Sequence, residues 1–111
     1  MMGKIFAGIL AAMLLAPTVV QGQTVADAAA GEKLALEVCA QCHFVAETQP
    51  MIPRADAPPF DDIAADPAVT ELSLRVFLQT PHRNMPDLHL SRQETDDVIG
   101  FILNLKTQAG K

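Results

Sequence analysis

Two cysteines and a histidine lie within five consecutive residues, Cys39-Ala40-Gln41-Cys42-His43. Two thiols at this spacing can add to the two vinyl groups on one edge of a haem, which creates two thioether bonds. The adjoining imidazole then lies beneath the iron, where a neutral ring nitrogen can serve as an axial ligand. We therefore interpret Cys39 and Cys42 as the attachment points of one covalent haem c and His43 as a ligand of its iron.

Two other chemistries use similar residues. A Cys-x-x-Cys pair can act as a dithiol redox motif, but the alternating strand and helix pattern expected around a thioredoxin-like site does not occur in this sequence. A structural zinc site needs four ligands, and Cys39, Cys42 and His43 supply three unless His82 or His89 joins them. The haem interpretation is favoured, because the full motif is present and the chain holds no other cysteine.

The N-terminal segment places one lysine ahead of an apolar run, Ile5–Ala16. This run is shorter than the ~20 residues that a membrane-spanning helix needs, and small residues follow it. We predict a signal peptide over residues 1–22, cleaved after Gly22 on the general secretion route, with a cut near Ala28 as an alternative. An uncleaved membrane anchor is the competing interpretation. Export of this kind predicts a periplasmic protein with no membrane insertion after cleavage.

The predicted mature domain, residues 23–111, is acidic. Lys4 is the one basic residue before it, so the domain carries 7 Lys and Arg against 13 Asp and Glu, a formal net charge of −6. Nucleic acid and anionic lipid surfaces need a basic face and are not expected partners. The domain contains no Trp and no Tyr, and the stability of so small a core is marginal unless a cofactor contributes to it. A single monomeric domain is expected.

Three segments carry helix signals, and no segment has the pattern of a strand. Asp27 is a good N-cap for a helix over residues 28–38 that runs into the haem motif. Pro67 is well placed to open a second helix over residues 68–79. A capping box, Ser91-Arg92-Gln93-Glu94, opens the last helix. The predicted fold class is all-α.

The segment between the first and second predicted helices, residues 44–67, contains five prolines and little periodicity. This pattern predicts a long structured loop. Loops of that length are uncommon in compact domains unless they have a function, and wrapping one side of a bulky cofactor would be such a function. Met51, Ile52 and Phe60 are the apolar groups expected to face inward.

The order of these features resembles the class I cytochrome c family over essentially the whole mature chain. The shared order is an N-terminal helix, the CxxCH motif, a proline-rich loop, a middle helix, a methionine beside a proline, and a C-terminal helix. The resemblance implies a small cytochrome c fold, with about three main helices and long loops wrapped around one covalent haem. It places the thioethers on Cys39 and Cys42, the proximal ligand on His43 and the sixth ligand on Met85.

The resemblance also assigns roles to residues around the haem. It implies that the carbonyl of Pro58, or of the neighbouring Pro59, accepts a hydrogen bond from the proximal imidazole. Gly31 matches the small residue that lets the first helix cross the last, and Phe101 matches the aromatic residue that packs over this crossing. Ala35 departs from the family, whose members commonly carry a bulky or aromatic residue four positions before the first cysteine.

The residues themselves also favour Met85 as the sixth ligand. Met85 lies in a proline-bracketed segment between two predicted helices, which can fold back across the haem from the side opposite His43. Met51 is less suited, because it follows His43 by only eight residues and the chain between them is short for reaching the opposite side of the haem. His82 and His89 flank Met85 and offer a bis-histidine site, and an open sixth site is the remaining alternative. A thioether is a soft ligand that stabilises ferrous haem.

Two axial protein ligands favour electron transfer over catalysis on a substrate, because the geometry at the iron then changes little between oxidation states. We predict a periplasmic one-electron carrier, not an enzyme, that meets redox proteins such as a dehydrogenase, a membrane complex, or a terminal reductase or oxidase. A small, transient contact rim near the haem edge is expected at Gln41, Phe44, Arg83, Asn84 and Asp87. Competing hypotheses are a dedicated haem subunit of an oxidoreductase complex and an open-site haem protein for gas binding or peroxidase-like chemistry.

Overall fold

The computed structural model describes residues 25–54, 56–82 and 84–110. Its elements in chain order are helix α1 (Ala28–Val38), a 3-10 turn (Cys39–Gln41), and helices α2 (Phe60–Ala65), α3 (Glu71–Gln79) and α4 (Arg92–Ala109). Within these residues the only β-type pairing is an isolated bridge between His82 and Met85. The predicted all-α fold class is confirmed. None of the described helices has the length and apolar character that a transmembrane span requires.

Helices α1 and α4 cross at a point where their backbones almost touch. A Cβ atom added to Gly31 would lie 1.9 Å from the carbonyl oxygen of Asp97 and 2.9 Å from the backbone nitrogen of Val98. The Asp97 carboxylate is buried, and it accepts hydrogen bonds from the backbone N–H of Asp27, at 2.8 Å, and from the Gln93 side chain, at 2.7 Å. The crossing therefore depends on a missing side chain in α1 and a buried carboxylate in α4.

A methyl group at position 31 cannot be accommodated by a side-chain rotation, since the atoms it would meet belong to the α4 backbone. We expect Gly31→Ala to force the two helices apart and to lower the free energy of unfolding by about 3 kcal/mol or more. Denaturant unfolding of the haem-loaded protein measures this loss. Gly110→Ala is the matched control, because its added Cβ would meet no atom closer than 3.9 Å, and a change in stability equal to that of Gly31→Ala would contradict the account.

The core lies between α4 and the other helices. Helix α4 contributes more buried apolar side chains to the core than any other element, and α1, α2 and α3 each add one or two. Val98, Ile99, Phe101 and Ile102 of α4 cluster with Ala35, Phe60, Ala64 and Leu74. At the surface, Arg75 of α3 hydrogen-bonds both to Glu71 and, at 2.7 Å, to Asp96 of α4. These bonds raise the pKa of Arg75, with the Glu71 bond as the larger cause.

Residues 44–67 were predicted to form a loop without helices or strands. This prediction was wrong for the last part of the segment, where α2 occupies Phe60–Ala65. Pro59 stands at the N-cap position, so the proline opens this helix and does not break it. Asp61 and Asp62 in the first turn complement the helix dipole. Six residues are too few to show a helical period in the sequence, and the proline density concealed the element.

The second predicted helix begins later than expected, at Glu71. The Asp66 carboxylate accepts a hydrogen bond from the backbone N–H of Ala68 at 2.8 Å, which holds the residues after Pro67 in a turn. Thr70 and Ser73 then form a reciprocal capping box that starts α3. The expected caps of the other helices, Asp27 for α1 and Ser91 with Glu94 for α4, are confirmed.

Candidate haem site

The CxxCH segment forms one tight turn at the end of α1. The backbone N–H groups of Cys42 and His43 both donate to the carbonyl oxygen of Cys39, at 3.0 and 2.9 Å. The chain's two cysteines both lie in this described segment and carry free thiols. Cys39 is 8% exposed, and Cys42 is half-buried. The turn thus holds two unpaired thiols and an imidazole at one end of the helix that crosses α4.

The state of the Cys39 thiol weighs against a dithiol redox site. Burial, and to a smaller extent the neighbouring Cys42, raises the pKa of Cys39 to about 11. In dithiol redox motifs the attacking cysteine is partly exposed and its pKa is lowered, because the thiolate is the reactive species. Cys39 has the opposite properties, so this alternative has no support from the geometry.

The zinc alternative also lacks a complete site. Among the described residues, no three His, Cys, Asp or Glu side chains come together in a group that could hold a metal ion. The side chain of His89, one of the two candidates for the fourth ligand of such a site, is 85% exposed and lies 3.5 Å from the carboxylate of Asp87. A closed four-ligand zinc site is therefore not assembled in this part of the chain.

The His43 imidazole is held by a backbone carbonyl from the loop. Its Nδ1 atom lies 2.7 Å from the carbonyl oxygen of Pro58. A carbonyl only accepts hydrogen bonds, so Nδ1 carries the proton in this contact, and the neutral ring keeps a free lone pair on Nε2. Pro59 does not compete for the imidazole, because its own carbonyl accepts the N–H of Ile63 inside α2, at 3.1 Å.

Backbone hydrogen bonds on both sides of this contact hold the proline-rich loop to the haem motif and to Phe44, the residue that follows the motif. Arg54 N–H donates to the carbonyl of Gln41 at 3.0 Å, and Phe60 N–H donates to the carbonyl of Phe44 at 2.9 Å. The side-chain amide of Gln49 also organises the loop, accepting from Val45 N–H at 2.6 Å and donating to the carbonyl of Met51 at 2.9 Å. No local sequence signal identified Gln49 as a loop organiser.

Met85 lies in a tight turn. Its backbone N–H donates to the carbonyl of His82 at 2.9 Å, and Asn84 between them has a left-handed backbone with a φ of 61°. Asparagine tolerates this conformation better than most residues. The Met85 side chain is half-buried, and the neighbouring Arg83 lies outside the described residues.

The other sixth-ligand candidates have different surroundings. The His82 ring contacts residues just before it in the chain. Its Nδ1 lies 3.0 Å from the carbonyl of Thr80, and the ring packs edge-on against Phe77 of α3 at a centroid distance of 4.8 Å. His89 points to solvent. Met51 is 48% exposed and Ile52 is 89% exposed, whereas Phe60 is buried in the protein core. That Met51 and Ile52 face the cofactor stays a prediction.

The described residues fit a haem in both their donors and their surface. Two thiols, an imidazole with a free Nε2 and a thioether are the donor types that c-type haem uses. The structure also exposes large apolar side chains of the kind that a flat apolar macrocycle can cover. They come from α3 and from the loop: Leu72, Val76, Phe77, Phe44, Met51 and Ile52.

Comparison with known proteins agrees with this fit. The sequence profile of the cytochrome c family matches residues 28–106. Cytochrome c-552 from Bradyrhizobium diazoefficiens is 41% identical over 81 residues, which cover 73% of this chain and 77% of that protein. No solved structure matches the chain. The described helices, the haem motif and this similarity together identify the chain as a member of the cytochrome c family, a c-type cytochrome with covalently attached haem c and its iron.

Proposed function

We propose that this cytochrome is an exported one-electron carrier in which Cys39 and Cys42 hold the haem and His43 and Met85 are the axial ligands. The observation that carries the proposal is the 2.7 Å contact between His43 Nδ1 and the Pro58 carbonyl. This contact favours the tautomer that leaves Nε2 free to bind iron, and it holds the ring in one orientation. Haem c, when bound, supplies an iron that takes up and releases a single electron.

Met85 is the proposed sixth ligand because the other candidates are less suited. The ring of His82 packs edge-on against Phe77 of α3, and the side chain of His89 is solvated. A half-buried thioether in a tight turn can be held in place by its backbone, and a soft sulfur ligand favours the ferrous state. Two protein ligands leave no open position for a substrate, which supports a carrier and not an enzyme.

Export to the periplasm through a signal peptide over residues 1–22 remains part of the proposal, and this segment lies outside the described residues. The structure favours cleavage after Gly22 over cleavage near Ala28. The Asp27 side chain caps α1 by accepting from Ala29 and Ala30 N–H, and its own N–H donates to Asp97. A cut after Ala28 would remove these contacts, which are worth about 1 kcal/mol for the cap alone.

The proposed partners are other redox proteins, met through a small transient interface. Four of the five predicted rim residues lie in the described part of the chain, and all four are exposed: Gln41, Phe44, Asn84 and Asp87. The net charge of −6 that follows for residues 23–111 would steer the protein toward basic partner surfaces and make the association rate fall with ionic strength.

Carbon monoxide distinguishes the carrier from an open-site haem protein. We expect the ferrous protein to keep a low-spin, six-coordinate spectrum when exposed to the gas, because Met85 occupies the sixth position. An immediate spectral shift on a high-spin ferrous protein would contradict the carrier proposal and support gas binding or peroxidase-like chemistry. Co-purification of a stable enzyme partner would instead support a dedicated haem subunit.

A further inference from the structure

We infer that Phe60 is a positioning residue for the proximal ligand, and that its ring sets the orientation of the His43 imidazole plane. The two rings pack edge-on, with centroids 5.4 Å apart and planes inclined by 66°. This arrangement is close to the T-shaped geometry, one of the two that aromatic pairs prefer. The inference rests on the proposed function, because it takes His43 as the iron ligand.

One hydrogen bond cannot fix the plane of an imidazole by itself. His43 is attached through its Cβ atom and is held at Nδ1 by the Pro58 carbonyl, so the ring can still rock about the line that joins these two points. A second contact away from that line removes this freedom. The Phe60 ring supplies such a contact, and Phe60 follows Pro58, whose carbonyl accepts the His43 hydrogen bond, by two residues in the same short segment.

Phe60 is itself held firmly enough to act as a support. It is 4% exposed and is the first residue of α2, and its backbone N–H donates to the carbonyl of Phe44 at 2.9 Å. Its ring also packs on Phe101 of α4, at a centroid distance of 6.1 Å and an inclination of 44°. A continuous row of rings therefore connects the long C-terminal helix to His43.

The orientation of an axial imidazole has a spectroscopic signature. In ferric low-spin haem the unpaired electron follows the axial ligand planes, so the order of the haem methyl proton shifts reports that orientation. A residue that only fills the core changes stability without changing this order. Val98 belongs to the same buried cluster as Phe60 but lies at the Gly31 crossing, outside the row of rings, so it serves as the control for separating these roles.

The test compares Phe60→Leu with the core variant Val98→Ala in the haem-loaded protein, by thermal unfolding and by proton NMR of the ferric state. We expect both variants to lose thermal stability and only Phe60→Leu to reorder the haem methyl shifts. Retention of the wild-type order in Phe60→Leu, beside a stability loss like that of Val98→Ala, would overturn the inference and assign Phe60 a packing role alone.

A second measurement needs no variant. In the diamagnetic ferrous wild-type protein, we expect nuclear Overhauser contacts between the ring protons of Phe60 and those of His43, and their absence would overturn the inference. The wild-type spectrum tests the proposed axial ligands independently of the role of Phe60. A protein that lacks low-spin His/Met coordination refutes the axial assignment itself, whereas normal coordination with an unaltered Phe60→Leu pattern refutes only the role of Phe60.

Discussion

Replacement of either cysteine of the haem motif is expected to weaken haem retention and folding together. Each of Cys39→Ala and Cys42→Ala removes one of the two proposed thioethers that attach the cofactor to the end of α1. If each bond stabilises the fold as a covalent cross-link does, by about 2–4 kcal/mol, the melting temperature falls by roughly 10–25 °C for a domain of this size. Haem content after denaturing gel electrophoresis and thermal unfolding measure the two losses.

The matched control for the cysteines is Gln41→Ala, which alters an exposed side chain within the same turn. It should keep full haem content and should melt within a few degrees of the wild type, as surface substitutions usually do. An apoprotein that folds stably without haem, or a Cys39→Ala protein with unchanged melting temperature, would contradict the role that we assign to the cofactor in the core.

Met85→Ala is expected to lower the reduction potential and to open the iron to added ligands. Loss of the thioether removes a soft ligand that stabilises ferrous haem. The fall should be on the order of 0.1–0.3 V, a substantial part of the roughly 0.8 V over which axial ligands set haem potentials. A redox titration measures the potential, and carbon monoxide binding by the ferrous variant reports the open position.

Met51→Ala is the control for the sixth ligand, because it removes the other methionine within the described residues, whose side chain is 48% exposed in the loop. Its potential should stay near that of the wild type. A large drop in Met51→Ala with no change in Met85→Ala would reverse the ligand assignment. An unchanged potential in both variants would exclude both methionines and favour His82 as the sixth ligand.

The sequence predicted those parts of the molecule whose signals are local. The haem motif is five consecutive residues, and the caps Asp27 and Ser91 act on backbone groups within three positions. Local chemistry also accounts for the two errors in the helices. A proline that caps α2 is indistinguishable in sequence from one that breaks a loop, and the turn at Asp66 competes with the helix start expected at Pro67.

Contacts between distant segments could be predicted only through the family resemblance, or not at all. Gly31 was expected at the helix crossing on that basis, but its buried partner Asp97, 66 positions later, has no periodic signal that sets it apart from a solvent-facing acid. The contact of Phe60 with His43 likewise depends on how the loop folds back, which the residue types alone do not determine. Tertiary packing, not local propensity, decides these contacts.

The measurement that tests the central claim most directly is a spectroscopic redox titration of the purified mature protein. The account predicts one reversible one-electron transition, low-spin spectra in both oxidation states, and a ferric sulfur-to-iron band at the red end of the spectrum. A high-spin ferrous form, or a ferric spectrum without the sulfur band, would contradict the His43 and Met85 assignment and with it the proposed carrier function.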